Sequence, residues 1–158
     1  MKRAAIITAA AFAVAFLAAA CGGGYSSAPP AAQDAAGAAR VDVAGSQLGR
    51  IVVDGTGHTL YLFEKDENGH SACYGDCADY WPPLLSQGNP LARSGLRASL
   101  LGTTRRTDGS DQVTYAGHPL YRYAEDAKPG QTLGEGLQDF GGGWDALSPA
   151  GTGIDGDG

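Results

Sequence analysis

Basic residues are scarce in this chain: 11 Lys and Arg stand against 17 Asp and Glu among 158 residues, a formal net charge of −6. Phosphate recognition needs clustered positive charge, so the composition argues against a nucleic-acid partner. Cysteine and histidine number three each. The fingerprints that organise common catalytic sites are missing: there is no nucleophile elbow, phosphate-binding loop, zinc-protease helix or dinucleotide-binding glycine pattern. These absences weigh against an enzyme. Only one long apolar run exists, from Ala4 to Ala20, and its 17 residues lie at the short edge of what spans a bilayer.

What surrounds that run gives it a meaning. Lys2 and Arg3 precede it, and Ala19-Ala20-Cys21-Gly22 closes it. A basic start, an apolar centre and small residues before a cysteine read as a bacterial lipoprotein signal peptide over residues 1–20, with Cys21 receiving lipid on its thiol. Leu17 sits four positions before the cysteine and Ala18 three before it. A membrane-spanning helix is the competing reading. A diacylglyceryl group joined by an amide-linked acyl chain such as palmitate contributes about 0.8 kcal/mol per buried methylene, enough for stable anchoring. The expected location is therefore the extracytoplasmic face of a cell membrane, where disulfides form. Without Lys2 and Arg3, 9 basic residues face 17 acidic ones, and the mature net charge is −8.

Residues 21–40 hold almost nothing able to fill a core and are expected to be a disordered tether. Such a segment holds a domain on the order of 25 Å from its anchor. Residues 41–150 are expected to form one small domain, followed by a flexible tail over residues 151–158. Inside the domain the chain repeats itself. Gly57-His58-Thr59-Leu60-Tyr61-Leu62-Phe63, with Asp66 beyond, is answered 60 residues later by Gly117-His118-Pro119-Leu120-Tyr121-Arg122-Tyr123, with Asp126 beyond. Val53 aligns with Val113 upstream, and Trp81 and Trp144 follow downstream. One copy spans about 41–85 and the other about 99–149, and neither would bury its apolar face alone.

Alternation predicts β structure. Tyr61 and Phe63 share one face of a strand, Leu60 and Leu62 the other, and the aromatic face is the better core candidate. Partner strands are expected at 50–53 and 111–115, earlier strands at 40–44 and 99–105, and short fourth strands at 81–85 and 144–147. Ala116 fits a type I′ turn poorly and suggests another turn or a longer loop. The prediction is a mainly β domain: two repeated antiparallel meanders packed with pseudo-twofold symmetry, with a turn or two of helix near Cys73 to Tyr80.

The doubled Tyr-x-aromatic-x-x-Asp motif, Cys73-x-x-x-Cys77 followed by Trp81-Pro-Pro-Leu, Leu100-Leu-Gly-Thr103, Gln112-Val-Thr-Tyr115 and Phe140-Gly-Gly-Gly-Trp144 occur together. In this combination the chain resembles the bacterial "secreted repeat of unknown function" lipoproteins over 41–151. The resemblance implies placement at the cell envelope and a repeated β unit, and it supplies no reaction.

Three constellations could carry chemistry. Cys73 and Cys77, in an oxidising compartment, are expected to form a disulfide whose five-residue ring contributes about 2 kcal/mol; reduced, they and His70 could instead hold copper or zinc or act as a redox dithiol. Asp66 and Asp126 could meet as an acid and base pair or a calcium site, but an aspartate just after a strand more often caps the next turn. The aromatics Tyr61, Phe63, Tyr74, Tyr80, Trp81, Tyr115, Tyr121, Tyr123, Phe140 and Trp144 could include an exposed row that stacks on the sugar rings of a cell-wall polymer, although most should be core. His58 and His118 could pair on a metal, or simply be solvated turn residues. Together these readings describe a lipid-anchored, non-catalytic binding or interaction module, with a cell-wall polymer or envelope protein as partner and no cofactor. An envelope metal or redox protein built on His70, Cys73 and Cys77 is the alternative.

Overall fold

A computed structural model describes residues 37–154. The expected signal peptide, Cys21 and most of the tether lie outside the described residues. The elements in chain order are β1 (Arg40–Ser46), β2 (Gly49–Asp54), β3 (Tyr61–Phe63), α1 (Asp76–Tyr80), β4 (Leu91–Ala92), a 3-10 turn (Ala98–Leu100), β5 (Leu101–Arg105), β6 (Asp111–Tyr115), β7 (His118–Pro119), β8 (Leu137–Asp139) and β9 (Gly142–Ala146). They form three small sheets ordered β2-β1-β4, β3-β9-β8 and β5-β6-β7. The chain is mainly β, as the alternation predicted. Among the described residues helix is confined to the single turn after Cys73 and the 3-10 turn.

Each repeat opens with a hairpin. β1 pairs with β2 from Val41↔Asp54 to Ser46↔Gly49, and β5 pairs with β6 from Leu101↔Tyr115 to Arg105↔Asp111. The chain then turns back, so that Leu60 donates its N–H to Val52 O at 3.0 Å and Leu120 donates to Val113 O at 2.9 Å. Val113 therefore corresponds to Val52, one position away from the Val53 that sequence alignment chose. The cause is turn length: the first repeat has one more residue between these anchor points than the second. Ala116 adopts φ 52 and Gly117 φ 87, so the second turn is a two-residue one despite its alanine. Tertiary contact overrides the turn preference there, since Ala116 N–H also bonds Leu100 O at 2.9 Å.

Of the expected fourth strands, the one at 144–147 forms as β9, whereas 81–85 makes only isolated bridges at Pro83 and Leu85, and neither segment completes its own repeat. They are exchanged. Past the turn each hairpin splays, leaving backbone groups that must find partners. In the second repeat the gap is filled by Leu84 of the first: Leu84 N–H bonds Leu120 O at 2.9 Å, and Leu84 O accepts from Val113 N–H at 2.8 Å. In the first repeat Leu147 of the second does the same, donating to Leu60 O at 3.0 Å and accepting from Val52 N–H at 2.7 Å. Between these two insertions Tyr61 and Tyr121 exchange both backbone hydrogen bonds, at 2.9 and 3.0 Å. The reciprocal contacts fit the pseudo-twofold relation that the repeats predict.

The strands at the centre are buried on both faces, which corrects the expectation of a single aromatic core. Ile51, Val53, Tyr61, Phe63, Trp81, Tyr121, Trp144 and the two cysteines form one cluster. Val41, Val52, Leu60, Leu62, Leu84, Val113, Leu120 and Leu147 form another. Successive side chains of one strand thus serve opposite cores.

Two boundaries also shift. Residues 37–40 of the expected tether pair with the domain, Gln87 N–H bonding Gly37 O at 3.0 Å and Leu91 N–H bonding Ala39 O at 2.8 Å. Through residue 154 the expected tail is held as well, with Ser148 N–H on Thr152 O at 2.8 Å and Ile154 N–H on Ala146 O at 2.9 Å. Low hydrophobicity concealed this, because backbone bonds do the holding. β4, absent from the sequence prediction, lies parallel to β1 through Arg40↔Leu91 and Val41↔Ala92.

Leu84→Ala and Leu147→Ala are each expected to lower the unfolding free energy by about 2 to 5 kcal/mol. Because each leucine is seated in the opposite repeat, chemical denaturation of either variant should remain one transition. Separate melting of two halves would contradict the exchange.

Candidate functional site

The repeat motif proves to be a pair of ties between the repeats. Tyr61 donates its hydroxyl to Asp126 Oδ2 at 2.6 Å, and Tyr121 donates its hydroxyl to Asp66 Oδ2 at 2.8 Å. Each aspartate also caps its own turn: Asp66 Oδ1 accepts from Ala72 N–H at 2.7 Å, and Asp126 Oδ1 accepts from Leu133 N–H at 2.9 Å. The turn-capping expectation is met and extended. The two carboxylates are held by different tyrosines, an arrangement unlike an acid and base pair sharing one substrate. Gly134 lets the second loop approach the core, since a Cβ there would lie 2.8 Å from the Trp81 ring. Its N–H also reaches Tyr61 Oη at 3.3 Å.

Burial pushes the Asp66 carboxyl up to about 6 and outweighs the bonds from Ala72 N–H and Tyr121 and the nearby Arg106 charge. Burial, together with the neighbouring aspartate, holds both tyrosine hydroxyls far above their ordinary range. Both phenols are therefore protonated donors at any physiological pH.

Where the repeats differ, the first carries the cysteine loop and the second a β-hairpin. Cys73 and Cys77 are disulfide-bonded, with Cα atoms 5.3 Å apart. Both sulfurs are thus engaged and neither offers a thiolate to a metal. His70 lies on the surface, its Nδ1 3.3 Å from Thr104 Oγ1. Among the described residues no group of three His, Cys, Asp or Glu side chains is placed to hold a metal ion. His58 stays in its turn, with Nδ1 3.0 Å from Thr56 Oγ1, and His118 sits in β7.

Sequence reasoning missed the residue that fastens the cysteine loop. Arg106 is only 3% exposed and donates to Gln112 Oε1 at 2.6 Å, Cys73 O at 2.8 Å and Ser71 Oγ at 2.9 Å. An arginine beside a Thr-Asp-Gly-Ser turn reads as solvated, and only the burial of its neighbour Gln112 on β6 could have hinted otherwise. Asp54, at the end of β2 before a Gly-Thr-Gly turn, likewise reads as solvated. Its buried carboxylate accepts from Thr56 and Arg122. Burial alone would raise it, but the Thr56 bonds, Arg122 and the His58 N–H hold it below the usual range.

Most of the aromatics are packing residues, as expected. Tyr61, Phe63, Trp81, Tyr115, Tyr121 and Trp144 are buried, whereas Tyr80 is 54% and Phe140 42% exposed. Tyr80 ends α1, and Phe140 tips the β8–β9 hairpin. Their rings lie 6.0 Å apart, and Tyr123 is partly exposed. Phe140 holds φ 54, a left-handed conformation that is an outlier for a bulky residue.

Replacing Asp66 with Asn tests its buried carboxyl. A folded-state value above the ordinary 3.8 means the folded protein binds that proton more tightly than the unfolded chain. The associated stability is full below about pH 4 and is lost as pH rises through about 6. Relative to the parent, Asp66→Asn should flatten the stability profile between those limits by roughly 1 to 2 kcal/mol, discounted for partial exposure, in denaturant titrations at several pH values.

The family model for a secreted repeat of unknown function matches residues 42–85 and 102–148. Those two segments coincide with the two halves that exchange strands. Neither a curated protein nor a solved structure matches the chain. Among the described residues no helix is long and apolar enough to cross a membrane. With more than half its length matched by two copies of one model, the chain belongs to the family of secreted repeats of unknown function, an extracytoplasmic β module with a Cys73–Cys77 disulfide.

Proposed function

We propose that the protein is a lipid-anchored, non-catalytic binding module of the cell envelope, tethered through Cys21 and presenting an aromatic face to a cell-wall polymer. The observation that carries this reading is Phe140. A bulky side chain in the left-handed region costs about 1 to 2 kcal/mol, and this one gains little burial in return. Phe140 and Gly141 (φ 82) form the two-residue turn between Asp139 and Gly142, a place that favours Asn or Gly over a bulky ring, and the choice of an aromatic there supports a use for the ring itself. Tyr80 and the edge of Tyr123 extend the face, and all three rings are flat apolar surfaces of the kind on which sugar rings stack.

The rest of the molecule supports this division of labour. The motif residues that could have carried acid–base chemistry are spent on joining the repeats. Tyr80 and Phe140 come from the two segments in which the repeats diverge, and Tyr123 joins them from the repeat motif. In the disulfide form the alternative metal or redox reading has lost its two thiolate ligands.

Phe140→Gly separates function from stability. Glycine accepts positive φ, so the variant should gain about 1 kcal/mol in denaturant unfolding while losing retention on isolated cell wall in a sedimentation assay. Tyr80→Ser should lose retention with little change in stability. Undiminished retention in both would remove this face from the binding reading. For the anchor, Cys21→Ala should move the protein from the membrane fraction to the soluble one; persistence in the membrane fraction would indicate a spanning helix instead.

A further inference from the structure

The interior holds a continuous column of rings. Phe63 stacks on Trp144 with centroids 4.0 Å apart, Trp144 on Trp81 at 3.9 Å with planes 4° from parallel, and Trp81 on Tyr123 at 4.4 Å. Tyr61 meets Trp81 edge-on at 5.4 Å, and Tyr121 meets Trp144 edge-on at 5.2 Å. The column runs from a fully covered end at Phe63 to a partly exposed end at Tyr123. Each edge-on tyrosine in turn donates its hydroxyl to an aspartate.

Packing alone accounts for stacked rings, but three features exceed it. First, tryptophan and tyrosine are the side chains most readily oxidised by one electron, and here they are in van der Waals succession from surface to centre. Second, Trp81 Nε1 is buried with no hydrogen-bond partner among the described residues. A tryptophan radical cation formed there has no acceptor for its proton, so it stays strongly oxidising and passes its vacancy to a neighbour. Third, the neighbours at the edges carry their own proton acceptors. Losing an electron makes a phenol strongly acidic, and Asp126 Oδ2 and Asp66 Oδ2 lie 2.6 and 2.8 Å from the two hydroxyls.

We infer that the Trp81–Trp144 stack and the two Tyr–Asp pairs form a one-electron relay, in which an outer-sphere oxidant at the Tyr123 end draws an electron from Tyr61 or Tyr121. The step balances. The oxidant gains one electron, the tyrosine becomes a neutral radical, and its phenolic proton moves to the paired aspartate. A one-electron reductant reverses the change, and the aspartate returns the proton. The hydroxyls, desolvated and beside a carboxylate, keep their protons until the electron leaves, and each proton then has its aspartate within hydrogen-bond distance. The buried groups of the relay lie outside the proposed binding face, and the two share only Tyr123, the partly exposed ring at the end of the column.

The test is laser photo-oxidation of the intact disulfide protein by a ruthenium(III) polypyridyl complex, followed by transient absorption and electron paramagnetic resonance. A tryptophan radical cation is expected first, decaying into a tyrosyl radical. In Tyr61→Phe/Tyr121→Phe the tyrosyl signal should be lost and the tryptophan radical should persist, whereas Tyr74→Phe/Tyr80→Phe should leave both phases unchanged. A tyrosyl signal surviving in the first double variant would overturn the relay. Should that variant not fold, the parent decides alone: its tyrosyl radical should show a hyperfine coupling to a hydrogen-bonded proton that disappears in deuterium oxide, and a radical lacking that coupling would refute the assignment.

Discussion

The antiparallel exchange between Tyr61 and Tyr121 is the contact from which the rest of the domain is built. Their backbones bond each other twice, which fixes the two repeats in opposite directions and brings each splayed hairpin within reach of the other's last strand. Leu84 and Leu147 then supply the missing backbone partners. Once those bonds are set, Tyr61 and Tyr121 have only one way to project, and each phenol finds the aspartate of the opposite copy. Backbone pairing, strand insertion and side-chain ties are three expressions of one geometric relation. The motif that looked like a candidate for chemistry is the means by which a duplicated sequence closes on itself.

That closure explains how about 118 described residues support two cores. In a two-sheet sandwich each strand has an inner and an outer face, and the outer one meets water. Here the strands near the exchange are covered on both sides: most of the buried rings lie in one cluster, and the other is branched aliphatic apart from Tyr115. The wide aromatic rings fit where the two repeats face each other, and the Trp81–Trp144 stack occupies that space. The aliphatic cluster takes the leucines and valines that alternate with them.

Much of this was legible in the sequence. Turn residues and hairpin partnering placed strands at β1, β2, β5 and β6 closely, and self-similarity identified the repeats and their shared residues. The Cys73–Cys77 bridge followed from spacing and compartment. What stayed hidden was of a different kind. The strand exchange cannot be read from one repeat, because Leu84 and Leu147 satisfy bonds presented by residues far away in the chain. The one-residue offset between Val52 and Val113 arises from a turn whose length matters only after pairing. Arg106 and Asp54 each look like solvated turn residues, and their burial depends on loops contributed by other parts of the chain. Phe140 is legible as an aromatic but not as a strained one, since Phe-Gly is an unusual pair at a two-residue hairpin tip.

The exchanged strands also bear on how such a protein could arise by duplication. A chain holding one repeat would present a vacant slot beside its hairpin and, at its own end, a strand with no place to go. Two such chains would answer each other's deficits as a symmetric dimer, whose assembly depends on concentration. Joining the copies through residues 86–98 makes that encounter intramolecular, so a dilute molecule keeps a core that separate halves would lose.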